Sequence, residues 1–595
     1  LDAFPLRRWI ADQMQISYDL NGALDRTLRE TASRTDGFDE DFSPEIRPAD
    51  LRFGDYQANG VLPFAKKHGL NPREMAERLM EVLGEDESLD VDIAGPGFLN
   101  FRFTPAFRLA WMQKYSSIQD FRKAFQAGRK PFQVVVDFSS PNTAKQMHVG
   151  HIRSTIIGDV IARLLNFGGN EVTRDNHVGD WGTQFGILIL AIKRSTIDLD
   201  DLGEDGIAEL EDLYREGNQL IGEDESLRKE ARAELVKLQQ GEKENLAIWE
   251  KVNAISLASF SKVYDRLGIR FDEILGESFY RDKVNAVYEG LTKYDICEES
   301  DGAMVVFHQE HKRFAKQPFI VRKSDGASNY ATTDLATVCY RTDKLGAEEI
   351  VYVTDGRQQD HFSQLFLTTE KWFAAEGKTV PRLRHVWFGT ILGEDNKAIK
   401  TREGQPVKLL DLLDEAISRA KVIVKQKNPE LDESEMEKRA RIIGLGAVRY
   451  ADLSQDRTLD YVFSWDKLLA LQGNTAPYLQ YAVARIRSIF RKLEIQPGSG
   501  EENASSPVTE SENVLARKLI YFPSVLEQTI CELKPHHLCG YLYELATDFS
   551  SFYNADKVMV DEPDVRARRS LLCSRTLLIL ETGLGLLGIE TLAKM

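Results

Sequence analysis

Residues 133–186 read QVVVDFSSPNTAKQMHVGHIRSTIIGDVIARLLNFGGNEVTRDNHVGDWGTQFG, and the fold is decided there. Gln133 to Phe138 is a β-branched run, the mark of a buried strand. Ser139 to Met147 is a polar turn containing Pro141 and Asn142. From Gly150 onward Ile152, Ile156, Ile157, Val160, Ile161, Leu164 and Leu165 recur at helical spacing, and Gly168-Gly169 close that helix. Val172 opens a second strand. This is half of a βαβ unit, with a loop that delivers His148 and His151 to a helix N-terminus. Unsatisfied N–H groups and the positive dipole end favour phosphate there. Gly150 permits close approach of a nucleotide, and two imidazoles three apart can donate to phosphate oxygens. Alone, H-x-G-H reads as a loop with two surface histidines; between a strand and a helix it reads as an active site.

Outward from this stretch the chain changes character several times. Before it, Asn71-Pro72-Arg73-Glu74 is a helix start, with Asn as cap and Pro at the first position. Ile93 to Phe103 alternates around Gly95-Pro96-Gly97 as a hairpin does, and Gly128-Arg129-Lys130-Pro131 is a linker. Residues 1–120 therefore form a small mixed α+β module. After the stretch, residues from about 190 to 265 are acidic and helix-favouring, an insertion outside the nucleotide fold. Strand patterns return at Ala303 to Phe307, Phe319 to Val321, Glu349 to Val353 and His385 to Phe388. Helical runs between them predict α/β alternation and a parallel sheet. The expected fold class is α/β, a Rossmann-like parallel-sheet domain over about 125–405. From Leu409 strand signals nearly vanish, and helical periodicity in 409–427, 435–452 and 465–493 predicts an all-α domain over 409–595. Pro497 to Asn513, rich in Gly, Ser and Glu, reads as a flexible loop.

His148-Val149-Gly150-His151 resembles the HIGH signature of class I aminoacyl-tRNA synthetases. Ser139-Ser140-Pro141-Asn142-Thr143-Ala144-Lys145 and His177 to Gly186 resemble the arginyl-tRNA synthetase family, and the likeness runs from near residue 50 to the C-terminus. The resemblance implies an arginine–tRNA ligase that activates L-arginine with ATP, accompanied by Mg²⁺, and passes it to the 3′ end of the arginine tRNA. The N-terminal module resembles the family's domain that contacts the outer corner of tRNA. The helical end resembles its anticodon-binding domain, with Gly473-Asn474-Thr475-Ala476-Pro477-Tyr478-Leu479-Gln480-Tyr481 as the nearest local match. Tyr478, Tyr481 and Arg485 are the candidate tRNA contacts, since aromatics beside arginine suit stacking on unpaired bases; the two tyrosines read equally as core aromatics.

Expelling pyrophosphate from ATP requires cations and N–H donors around the phosphates. His148, Gly150 and His151 supply part of this. The family's mobile lysine loop corresponds to Gly393 to Gly404, where Ile399 and Arg402 stand at the lysine positions of the KMSK signature. That departure is common in the family, and it implies that Lys145, just before the histidines, compensates. Lys400 and Arg402 complete the candidate catalytic set. An arginine substrate demands acids, because guanidinium is a planar fork of donors that pairs bidentately with carboxylate. The matching segments offer Glu277, Tyr330, Asp334 and Gln358 for this pocket. They place Ser140 and Asn142 at the substrate's α-amino and carboxylate end, and His151 also counts among the arginine-binding candidates. Tyr330 and Asp334 are four apart, hence on one face of a helix.

Composition sets the outer limits. A length of 595 residues suggests roughly three to four domains. A hydrophobic share of 42% and a charged share of 28% are those of a globular protein. No run reaches the roughly 20 apolar residues of a membrane span, and Arg7, Arg8 and Asp12 interrupt any early apolar segment. Five cysteines without a C-x-x-C pair suit a reducing cytoplasm, and a monomer is expected. Cys531, His536, His537 and Cys539 crowd together, but their spacing fits no common zinc site, so no bound metal is expected. The net charge of −17 speaks to solubility rather than local surface, which leaves tRNA binding undecided. Clusters at Arg485, Arg487, Arg491 and Lys492, and at Arg566, Arg568, Arg569 and Arg575, read as solvated helix faces. Another class I synthetase and a catalytically silent tRNA-binding relative remain the alternatives. The acidic pocket motifs speak against the first, and intact His148, His151 and Lys145 against the second.

Overall fold

The structure is a computed structural model that describes residues 17–50, 52–203, 206–324, 329–397, 399 and 406–595. It divides into two compact units, one of Lys130–Leu431 and Ala447–Leu468, the other of the described residues up to Arg129 with Asp432–Gly446 and Leu469–Met595.

The first unit is built on β1 (Gln133–Asp137), whose Val134, Val135 and Val136 are fully buried. The crossover helix α1 (Ile152–Phe167) is buried almost all round, as a helix pressed into an α/β layer must be. Gly158 lets it lie against Phe138, whose side chain a Cβ there would meet at 2.2 Å. β2 (Glu171–Asp175) then pairs parallel with β1, Asp137 opposite Asp175. The chain leaves through four helices, Thr183–Arg194, Gly206–Glu223, Glu225–Gln239 and Lys243–Leu267, with their own core around Phe185, Leu210, Leu238 and Val252. It returns through α2 (Tyr330–Asp343), β3 (Glu349–Tyr352), α3 (Gln359–Glu376) and β4 (Arg382–His385). The sheet order is β4-β3-β1-β2, all parallel. β1 thus has β2 on one side and β3 on the other, and an open α/β sheet binds ligands outside the strand C-termini at such a switch point.

Three strand assignments need correction. Ala303–Val306 and Phe319–Arg322 form an antiparallel three-stranded sheet with Glu298–Ser300, not part of the parallel one. A parallel pair needs a crossover, usually a helix, and residues 307–318 contain only turns and irregular chain. The strand expected at His385 to Phe388 ends at His385, and Phe388 makes an isolated bridge with Asp355. Beyond 409 the helices stand where periodicity puts them, except that 465–493 is broken. Trp465–Leu468 stops, and Thr475 caps Ala476–Leu493 by accepting the Tyr478 N–H at 3.3 Å. A short strand, Tyr461–Val462, also pairs with Ile391–Leu392.

In the second unit Asn71 caps Pro72–Leu83 as the sequence indicates, and Leu89–Ala94 and Phe98–Phe103 form the hairpin of a four-stranded antiparallel sheet. Fully buried Asp55 accepts from Arg108 at 3.0 Å and pairs with Arg517 at 3.2 Å. The Tyr521 hydroxyl donates to the Asp55 carbonyl at 2.6 Å. These charge-assisted bonds join the N-terminal sheet to the terminal helices. The second arginine cluster is internal rather than a solvated face: Arg568 and Arg569 pair with buried Glu512, and Arg575 with Glu501. Among the described residues no helix is long and apolar enough to cross a membrane.

Candidate active site

The loop after β1 is held in an unusual backbone. Ser139, Ser140 and Ala144 have φ of 73°, 47° and 62°, a region costly for side chains other than glycine, so the surroundings must impose it. The Ser139 N–H donates to Ser154 Oγ at 2.9 Å, and the Ser140 N–H to Asn176 Oδ1 at 3.1 Å. The Ser140 hydroxyl donates to Asp137 Oδ1 at 3.1 Å. Asn142 forms a parallel bridge with Gly179, whose missing side chain gives it room: a Cβ there would lie 2.0 Å from Asn142 Oδ1.

The two histidines open a 3-10 turn at Val149–His151 that continues into α1. The Gly150 N–H donates to His148 Nδ1 at 3.0 Å, and the His148 N–H to His151 Nδ1 at 3.1 Å. Each backbone bond occupies the Nδ1 lone pair, so the neutral ring carries its proton on Nε2. Burial lowers the His148 pKa, with Lys145 adding to the effect and Glu211 opposing it. Burial, then His148, pushes His151 down to about 4. The pair is therefore two neutral Nε2–H donors at pH 7, suited to phosphate oxygens. A positive charge has to come from elsewhere. Lys145 is exposed, beside His148, with its ammonium 5.1 Å from the Tyr214 ring centre.

The acidic side lies across the switch point. Asp180 caps the short helix Glu277–Tyr280, accepting from the Ser278 N–H at 2.8 Å and its hydroxyl at 2.6 Å. Gly276 makes this approach possible, since a Cβ there would sit 2.3 Å from the Asp180 carboxyl carbon. Glu277 is pushed up to about 8, first by burial, then by the charges of Asp334 and Asp180. Tyr330 is 70% exposed, and partial burial of its phenol, then the charges of Glu277 and Asp334, raise its pKa. Tyr330, Asp334 and Glu277 are thus brought together. Asp334 meets His361 Nε2 at 2.5 Å. Gln358 stands exposed on the turn that follows β3.

Lys400 and Arg402 lie outside the described residues. In the second unit Tyr481 is 41% exposed, and Arg485 lies 4.7 Å above its ring and 5.5 Å from that of Tyr553. Tyr478 is half-buried, its hydroxyl 3.3 Å from Ser550 Oγ. No group of three or more metal-ligating side chains is assembled among the described residues. In the Cys/His cluster Cys531 donates to Glu527, His537 meets Glu532, and Cys539 is fully buried.

Residues 117–465 match the family of class I tRNA synthetases (R), catalytic domain. Residues 18–103 match the arginyl tRNA synthetase N-terminal domain, and 479–595 the DALR anticodon binding domain. The chain is 43% identical over 572 residues to the arginine–tRNA ligase of Pseudoalteromonas translucida, covering 95% of this chain and 98% of the relative. The chain belongs to the arginyl-tRNA synthetase family. The Laribacter hongkongensis arginine–tRNA ligase is 42% identical, with 93% of this chain and 96% of the relative covered. Among solved structures, the Plasmodium falciparum arginyl-tRNA synthetase superposes with a TM-score of 0.83 at 29% identity, covering 98% of this chain and 100% of that one. The Thermus thermophilus arginyl-tRNA synthetase gives 0.82 at 25%, covering 97% and 100%.

Several groups of this synthetase site escaped the sequence reading. Asp137, Asp175 and Arg341 form a triad beneath the β1 loop, with Arg341 Nη2 at 2.7 Å from each carboxylate, while buried Arg341 Nη1 and Asp175 Oδ1 have no hydrogen-bond partner among the described residues. Asp180 lies within the His177 to Gly186 stretch, and His361 follows Gln358 by three residues. One usable signal existed: Asp137 ends the buried β-branched strand β1, and a carboxylate buried there requires a partner.

Proposed function

We infer that this chain joins arginine to its tRNA at the switch point between β1 and β3. It activates L-arginine with ATP to arginyl-adenylate, releasing pyrophosphate, and transfers the arginine to the 3′ end of the arginine tRNA. The substrate carboxylate attacks the α-phosphorus of ATP, and the bond to the pyrophosphate oxygen breaks. The Nε2–H groups of His148 and His151 and the N-terminus of α1 receive phosphate oxygens, with Lys145 as the cation and Mg²⁺ accompanying ATP. Lys400 and Arg402 act from the lysine loop. Ser140 and Asn142 hold the amino-acid end. Tyr330, Asp334, Glu277 and Gln358 receive the side chain, while Tyr478, Tyr481 and Arg485 meet unpaired tRNA bases. The protein works as a cytoplasmic monomer, a setting that five cysteine thiols without a disulfide suit.

One observation supports the arginine pocket above the rest. Glu277 is held up to about 8 beside two further carboxylates, an arrangement that a guanidinium fork relieves by supplying charge and paired donors. The test is aminoacylation of arginine tRNA by the purified protein with each amino acid in turn. Charging with arginine alone is expected; charging with another amino acid in preference would overturn the reading.

A further inference from the structure

α2 carries more than the pocket acid. Asp334 and Arg341 are seven residues apart on it, two turns along one face with Tyr330. At its far end Arg341 is completely buried. Its Nε donates to Asp175 Oδ2 at 3.0 Å, and its Nη2 donates to the Oδ2 atoms of Asp175 and Asp137, each at 2.7 Å. Asp137 and Asp175 are register partners on β1 and β2, so the sheet forces two carboxylates together at its C-terminal edge. Asp137 uses its other oxygen, Oδ1, to accept the Ser140 hydroxyl at 3.1 Å.

We propose that Arg341 is a positioning residue of the amino-acid site: it holds the Asp137 carboxylate turned toward Ser140, and so fixes the loop carrying Ser140 and Asn142. The inference rests on the reading of Ser140 and Asn142 as the end of the site that receives the amino acid. Ser139 and Ser140 sit in the left-handed backbone region and are not held there by intrinsic preference. The bond to Asp137 is one of the restraints that impose it, and it is only as fixed as the carboxylate that accepts it. Without the guanidinium, Asp137 Oδ2 and Asp175 Oδ2 lose the donor they share in a buried place, and the Asp137 carboxylate is no longer held toward Ser140. The groups facing Arg341 are Asp137, Asp175, Tyr280 and Tyr352, with His177 next to Asp175 and Asp334 next to Tyr352.

The test compares the wild-type protein with Arg341→Gln, Arg341→Lys and the double variant Arg341→Gln/Asp175→Asn in arginine-dependent ATP–pyrophosphate exchange with tRNA present. The double variant removes one charge of each sign, so it relieves the burial of unpaired carboxylates and keeps the test open should Arg341→Gln fail to fold. Thermal melts establish that each variant is folded. The KM for arginine is expected to rise about ten- to a hundredfold in Arg341→Gln and in the double variant, with the KM for ATP within about twofold. Arg341→Lys, which keeps a cation but loses the fork, falls between. A folded double variant with wild-type arginine KM, or equal losses for arginine and ATP, would overturn the proposal. Absence of exchange in the wild-type protein would instead overturn the reading of the function.

Discussion

With Glu277 in the arginine pocket as proposed, arginine binding should depend on pH. Its carboxyl sits at about 8 in the empty site, raised by burial and then by Asp334 and Asp180. The guanidinium of the substrate is charged throughout the accessible range, so the complex requires Glu277 ionised. At pH 7 only roughly one molecule in ten meets that requirement, and each further pH unit down costs about 1.4 kcal/mol. Apparent arginine affinity should therefore fall about twentyfold between pH 7.5 and pH 6. Titration calorimetry at pH 7 in two buffers of different ionisation heat should show release of about 0.9 proton per arginine bound. Glu277→Gln should bind arginine weakly and without that proton release. The same group makes a signed contribution to stability. Its raised pKa favours the ligand-free fold below the ordinary value of 4.5, and that contribution is lost as the pH rises through about 8. Arginine should accordingly raise the melting temperature more at pH 8 than at pH 6. A flat affinity over this range with no proton release would refute the reasoning.

Four further outcomes are expected. Lys145→Ala should lower the rate of pyrophosphate exchange by an amount equivalent to about 2–4 kcal/mol, with an unchanged melting temperature, because the neutral histidines leave Lys145 as the cation beside them. Asp334→Asn should weaken arginine far more than ATP in equilibrium binding, since a carboxamide offers the fork one acceptor and turns an NH₂ toward its donors. Gly179→Ala should raise the arginine KM, because the new methyl would lie 2.0 Å from Asn142 Oδ1 and must displace it. Tyr481→Ala should weaken tRNA binding by about 1–3 kcal/mol in a filter-binding assay and leave arginine affinity alone.

The parts of the site that were legible in the sequence are local. His148, Gly150 and His151 sit within one strand-turn-helix passage, and the backbone bonds that set their tautomers span only two or three residues. Glu277 and Asp334 could be picked out only through the family resemblance, and nothing in their spacing told that they converge. Arg341 was invisible for the same reason: it stands near the C-terminal end of a helix, where a cation is ordinary, and its partner Asp137 is 204 residues away. Arg568, Arg569 and Arg575 read as a solvated face because charge runs usually are. Their acids, Glu512 and Glu501, lie on other elements that fold against them. Strand positions were readable from β-branched runs, but pairing direction was not. The antiparallel placement of Ala303–Val306 depends on what the connecting chain can span rather than on the strand itself.

The switch-point site is proposed to activate arginine and no other amino acid. Pyrophosphate exchange by the purified full-length protein, with ATP, tRNA and each of the twenty amino acids separately, tests it directly. Arginine alone should support exchange, with Glu277→Gln and Asp334→Asn losing it through the arginine KM. Exchange with a different amino acid, or arginine exchange untouched by both substitutions, would contradict it.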